Sequence, residues 1–341
     1  MNKNIIILLD GTWNDKKDNK KKSNVALLDE MCIKNNDDQL KYYDTGVGTA
    51  WYDKKIGGFS GLGLSKNIID AYVFLSKNYE ENDKVFIFGF SRGAYSARSL
   101  AGFIYKCGLP EKYEAKKQTN ELYDLYQAKN NKKMNETKLI NRKCPIHMIG
   151  VWDTVGALGI PVLFLKNVSD NIFSFHDTTL NPEVKFAYHA IAIDEKREAF
   201  SPTLWDEKNE EDKNRITQVW FSGVHSDIGG GYKERHHSDI SLKWMSEQAE
   251  SHGVKIKSDY QYQIDISKSI HNEDFKIDKK IFGKEMIFLK KEREAKVTGF
   301  NTPTVHKSVL EKVKKLIDYN PIALMKHIVK RETLEPYNIE K

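Results

Sequence analysis

The stretch KVFIFGFSRGAYSARSLAGFIY, residues 84–105, decides the fold. Val85 to Phe88 form the short apolar run of a buried parallel strand, and Ala94, Ala97, Leu100, Ala101 and Ile104 recur with helical spacing. Between the two segments Ser91 stands in Gly-x-Ser-x-Gly, flanked by Gly89 and Gly93. A strand that becomes a helix within so few residues must turn sharply, and a side chain at either glycine would crowd the turn. The stretch therefore predicts a nucleophile elbow that presents the Ser91 hydroxyl at the carboxyl end of a sheet.

Working outward, strand and helix signals alternate. Ile5 to Leu9 read as a first buried strand, with further strands around 39–43, 146–152 and 217–222. A helix near 66–79 carries Ile68, Ala71, Tyr72 and Leu75 on one face. A polar helical excursion follows over 111–133, and more helices are expected near 240–250 and 305–317. Glycine-rich connections lie at 46–48 and 51–65. This alternation predicts the α/β class: an α/β-hydrolase-like fold with a mostly parallel central sheet, covered by helices and carrying helical insertions. Residues 1–341 read as a single catalytic domain, with 233–341 as a small cap or C-terminal extension of it. Residues 53–65, 111–135 and 160–176 are candidates for a lid or acyl pocket, although the apolar side chains of the last also suit a core.

Composition narrows the function classes. With 54 basic and 48 acidic residues the net charge is +6, a mildly basic surface that gives no nucleic-acid signature. Lysines at 16–22 and 129–133 sit among Asn and Asp and read as solvated loops that permit peripheral contact with anionic lipid. Cys32, Cys107 and Cys144 have neither paired nor metal-ligand spacing, so neither disulfide nor structural metal is expected, and the reducing cytosol fits best. The amino end lacks a signal-peptide cleavage pattern and its apolar run is too short to span a bilayer. Export without a cleaved signal, to act on membranes, is the alternative.

A serine nucleophile needs a base, and the base an orienting acid. HMIGVWDTVGALG, 147–159, leads an apolar run directly into Asp153, the candidate acid, which in the alternative caps a helix. TQVWFSGVHSDIGGGY, 217–232, places the candidate base His225 just beyond another strand. Asp227, two residues on, competes with Asp153 or else binds backbone amides. His306 rivals His225 but reads better as support at a helix start opened by Pro303. His189 has a helical or buried structural reading beside a catalytic one, and Asp194 reads as a salt-bridge partner of Arg197 or a cleft residue. For the oxyanion, the Arg92 backbone N–H is one expected donor, with Gly11 or Thr12 from LLDGTWND supplying the second. Asp10 repels an oxyanion and reads as a clamp on that loop.

Taken together, LLDGTWN, GFSRGAYSAR, VWDTVGALG, HAIAIDE, WFSGVHSDIGGGY and TVHKSV resemble the DUF2235 family, which includes the Tle1-like phospholipase effectors of type VI secretion. These blocks run from residue 8 to 309. The resemblance implies an α/β hydrolase with Ser91 as nucleophile, Asp153 as acid and His225 as base, acting on acyl esters of membrane phospholipids. It also implies secretion or immunity partners. The expected activity is that of a serine-dependent lipolytic hydrolase of phospholipase A type, with no cofactor. A carboxylesterase or lipase on another acyl ester is the enzymatic alternative, and a catalytically silent binding or scaffold protein is the non-enzymatic one.

Overall fold

The computed structural model describes residues 2–11, 21–34, 37–46, 61–155, 178–272, 291–295, 302–325 and 327–340. Thr12, most of the 16–22 lysine cluster, and the lid or acyl-pocket candidates at 53–60 and 160–176 lie outside these residues. Among the described residues, eight strands form one sheet in the order β2-β1-β3-β4-β5-β6-β7-β8. They are β1 (Asn4–Leu9), β2 (Gln39–Asp44), β3 (Lys84–Phe90), β4 (Ile146–Trp152), β5 (Val184–Ala192), β6 (Ile216–Phe221), β7 (Thr304–His306) and β8 (Asn338–Glu340). Every neighbouring pair is parallel.

Alternation along a strand sends successive side chains to opposite faces, and here both faces are covered. Ile5, Ile7, Leu9, Val85 and Ile87 pack on one side with helices Gly61–Asn78 and Arg92–Cys107. Ile6, Leu8, Phe86, Phe88 and Phe90 pack on the other, with helices Asn24–Met31 and Ser238–Ser251. Two-sided burial explains why these strands read as unbroken apolar runs. From β1 the chain goes to β2 on one side and then to β3 on the other, so connections leave in opposite directions between β1 and β3. Ligands of open α/β sheets bind at the carboxyl ends beside such a switch point, which is where Ser91 sits.

Four elements differ from the sequence expectation. Residues 184–192 are a central strand, so His189 is not helical; it is fully buried within the sheet, as its buried structural reading had it. Two short strands, β7 and β8, extend the sheet from the C-terminal region. The 305–317 helix starts at Lys307, because His306 ends β7 and caps the helix. All three cysteines are free and buried. No helix among the described residues is long and apolar enough to cross a membrane.

Candidate active site

Ser91 sits between β3 and the helix Arg92–Cys107 with φ 58° and ψ −120°, a conformation that costs a non-glycine residue about 1–3 kcal/mol. Its neighbours hold it there. A Cβ on Gly89 would come within 2.4 Å of the Gly93 carbonyl oxygen, and one on Gly93 within 2.1 Å of the Leu9 carbonyl oxygen. Neither contact is sterically allowed, so the helix start can press against β1 and β3 only with glycine at both positions. The Ser91 N–H donates to the Trp152 carbonyl at 3.0 Å, tying the elbow to the end of β4.

Asp153 follows directly on β4, also with positive φ, 38°. Its N–H donates to the Ala190 carbonyl at 2.7 Å, which turns the side chain across β5. His225 begins a short helix, His225–Gly229, after β6. The three side chains meet: His225 Nε2 lies 2.8 Å from Ser91 Oγ, and His225 Nδ1 lies 2.6 Å from Asp153 Oδ2. With the Nδ1 proton donated to the carboxylate, the Nε2 lone pair is left to accept from the serine. Phe90 and Phe200 pack against the imidazole with ring centroids at 4.7 and 4.9 Å. They fix its plane and cover it from water.

The acid has a further partner. Arg293 Nη1 donates to Asp153 Oδ1 at 2.6 Å and Nη2 to Oδ2 at 2.9 Å, while the Ala192 N–H donates to Oδ1 at 2.9 Å. Burial alone would raise the Asp153 pKa, but Arg293 and His225 hold it well below the usual carboxylate range.

The remaining sequence candidates take other places. Asp227 does not reach His225. It accepts from the Val224 N–H at 3.2 Å, from the His271 N–H at 3.0 Å and from His271 Nδ1 at 2.6 Å, closing the turn that carries His225. His306 stacks on Phe221 at 4.7 Å, and its Nδ1 faces the Ser308 N–H and hydroxyl. Burial pushes its pKa down to about 4. Asp194 is not the partner of Arg197. It accepts from the Gly223 N–H and the Tyr319 hydroxyl, with its pKa pushed up to about 6 by burial. The neighbouring Glu195 binds Arg197 through both oxygens and accepts from the His225 N–H at 3.2 Å. Arg197 also stacks over Phe200 at 3.8 Å, so one ion pair steadies both the base and its aromatic cover.

Near the expected oxyanion region, Asp10 accepts from the Gly11 N–H, the Ser23 hydroxyl and the Tyr43 hydroxyl, each at 2.6 Å. The Gly11 amide is thus committed to the Asp10 carboxylate. Arg92 is the first residue of the elbow helix, where backbone N–H groups have no intrahelical acceptor. Sequence reasoning missed Glu195, His271 and Arg293. Glu195 adjoins a carboxylate that was singled out, whereas Arg293 lies in a charged run without periodicity.

The family model described as "T6SS, Phospholipase effector Tle1-like, catalytic domain" matches residues 3–248. An uncharacterized protein of Saccharomyces cerevisiae, YEL023C, is 29% identical over 228 residues, covering 58% of this chain and 32% of that protein. The crystal structure of an uncharacterized protein from Pseudomonas aeruginosa superposes with a TM-score of 0.50 at 19% identity, over 74% of this chain and 46% of the other. The Tle1 effector bound to the VgrG spike of the type 6 secretion system gives a TM-score of 0.43 at 19% identity, over 68% of this chain and 51% of that one. The chain therefore spans about half or less of the length of each of these proteins. A serine hydroxyl, an imidazole and a buried carboxylate joined in this order support a serine-dependent ester hydrolase mechanism.

Proposed function

We propose, from the premise that this chain belongs to the T6SS Tle1-like phospholipase effector catalytic-domain family, that it cleaves acyl esters of phospholipids by two-step acyl transfer. The observation that carries this reading is the unbroken hydrogen-bonded path from Ser91 Oγ through His225 to Asp153, at 2.8 and 2.6 Å. In the first step His225 Nε2 takes the Ser91 proton as the oxygen attacks the ester carbonyl. Asp153 holds the imidazolium that forms, and the proton then passes to the departing alcohol. In the second step His225 activates a water that releases the fatty acid and restores Ser91. The oxyanion is held by the Arg92 backbone N–H, aided by the positive end of the 16-residue elbow helix. Phe90 and Phe200 keep this charge transfer in a dry setting where it is worth more.

The same reading takes 233–341 as a C-terminal extension of one catalytic unit, supported by the two strands it adds to the sheet. It also takes the working context to be a membrane surface reached with secretion partners, as the family description suggests. The experiment is mass-spectrometric detection of fatty acid and lysophospholipid from mixed phospholipid vesicles, comparing the native chain with Ser91→Ala. Ser91-dependent release establishes the activity. A chain that reacts with a fluorophosphonate at Ser91 yet releases nothing from vesicles would move the substrate to another acyl ester.

A further inference from the structure

We infer that Arg293 is a positioning residue of the catalytic centre, delivered by the C-terminal part of the chain, which keeps the Asp153 carboxylate aimed and ionised while His225 is neutral. The inference rests on the serine-hydrolase reading above and adds a group that lies beyond residue 248, where the match to the family model ends.

The geometry is that of a fork. The two terminal nitrogens of Arg293 meet the two oxygens of Asp153, and the guanidinium also donates to the Ala192 carbonyl at 2.7 Å and to the Phe200 carbonyl. One group therefore ties together the end of β5, the segment that covers His225 and the triad acid. Rotation of the carboxylate away from His225 Nδ1 would break both arms of the fork. Arg293 is itself anchored by its neighbours: Lys291 N–H donates to the Lys196 carbonyl at 2.8 Å, and Ala295 N–H to the Ala323 carbonyl at 3.0 Å. The Tyr337 hydroxyl donates to the Ala295 carbonyl at 3.0 Å, so Ala323 and the residue just before β8 brace the segment.

The electrostatic argument follows from burial. Asp153 is fully buried and Arg293 is 6% exposed, so the carboxylate has little help from water. Without a counter-charge, the Asp153–His225 pair retains a proton to higher pH, on one partner or the other. In either state His225 cannot both accept from Ser91 and be supported by an anion. Arg293 supplies that counter-charge. The other charged or titratable groups around the imidazole have partners of their own: Glu195 binds Arg197 as well as the His225 N–H, Asp227 binds His271, and His189 accepts from the Thr154 N–H. Among the described residues no second cation touches the Asp153 carboxylate.

The test uses the full chain and reads the rate of Ser91 labelling by a fluorophosphonate from pH 5 to 9, which needs no knowledge of the natural substrate. Arg293→Gln is expected to move the acidic limb of the profile upward by about one pH unit and to lower the plateau by about tenfold. Arg293→Lys, which keeps the charge and loses the fork, lowers the plateau and leaves the limb in place. Where Arg293→Gln does not fold, Arg293→Met carries the neutral arm with a similar volume. A folded neutral variant whose limb stays at the wild-type pH, or a lysine variant with a wild-type plateau, overturns the inference. A wild-type chain that never labels at Ser91 removes the hydrolase reading itself, a result distinct from either.

Discussion

Two Asp–His pairs share one helical turn, and only one of them faces a nucleophile. Asp153–His225 and Asp227–His271 have the same Nδ1 to oxygen distance, 2.6 Å. Their surroundings differ in two respects. His225 is buried between Phe90 and Phe200 with Nε2 on Ser91, whereas His271 is partly exposed, stacked on Tyr232 at 3.8 Å, with Nε2 3.8 Å from Glu234. Asp153 has the Arg293 fork, and its pKa is held low. No arginine reaches Asp227 among the described residues, and burial raises its pKa in spite of the His271 contact. A short acid–imidazole bond is therefore not a catalytic signature. The counter-charge behind the acid and the group in front of the imidazole decide what the pair can do.

The contrast breaks most directly at the nucleophile. Ser91→Ala should lower ester hydrolysis by about 10⁴-fold or more while leaving the melting temperature near wild type. Turnover that survives this change would place the chemistry elsewhere. Next come the two acids, compared in one assay. Asp153→Asn should cost about 10³–10⁴-fold in kcat. Asp227→Asn, which leaves the His225 ring on Ser91 but weakens the turn beneath it, should cost less than about tenfold in kcat and about 1–2 kcal/mol of stability. Equal kinetic losses from the two would erase the distinction drawn between the pairs.

Smaller effects test the remaining histidines. His306→Ala should keep turnover within about twofold of wild type while destabilising the chain by about 1–3 kcal/mol, read by urea denaturation, because it removes a helix cap and the Phe221 stack. Acid should expose the same group. Burial holds His306 down to about 4 and His189 and His237 down to about 3, below the ordinary value of 6.5. As pH falls the unfolded chain takes these protons first. Their contribution is therefore fully present above about pH 6.5 and is lost as pH falls toward 3–4, by about 1.4 kcal/mol per unit for each histidine. A melting temperature that stays flat from pH 7 to 5 would contradict this.

What was legible in the chain was what local backbone geometry dictates. The elbow at 84–105 needs an apolar strand, two glycines around the serine and a helix, and these requirements all fall within about twenty residues. Asp153 and His225 could be found for the same reason, each lying just past an apolar run that ends a strand. Strand β5 was less plain. KFAYHAIAI, 185–193, runs from an exposed Lys185 through half-buried Phe186 and Tyr188 to a fully buried end from His189 onward, so its pattern has neither the alternation of a half-exposed strand nor a clean helical period. Asp194 and Glu195 are adjacent carboxylates pointing different ways, and one residue of register decides which of them meets Arg197.

The sequence by itself determined that a serine is presented on a strained strand-to-helix turn, and that an acid and a histidine wait at later strand ends. The physical reason is that backbone sterics and two-sided burial act over short stretches of chain. Which acid orients the histidine, that Asp227 answers to His271, and that Arg293 from 140 residues away braces Asp153 were decided only by the tertiary structure. Those choices depend on which charges share a low-dielectric interior, and that proximity is created by the parallel sheet bringing distant segments to one edge.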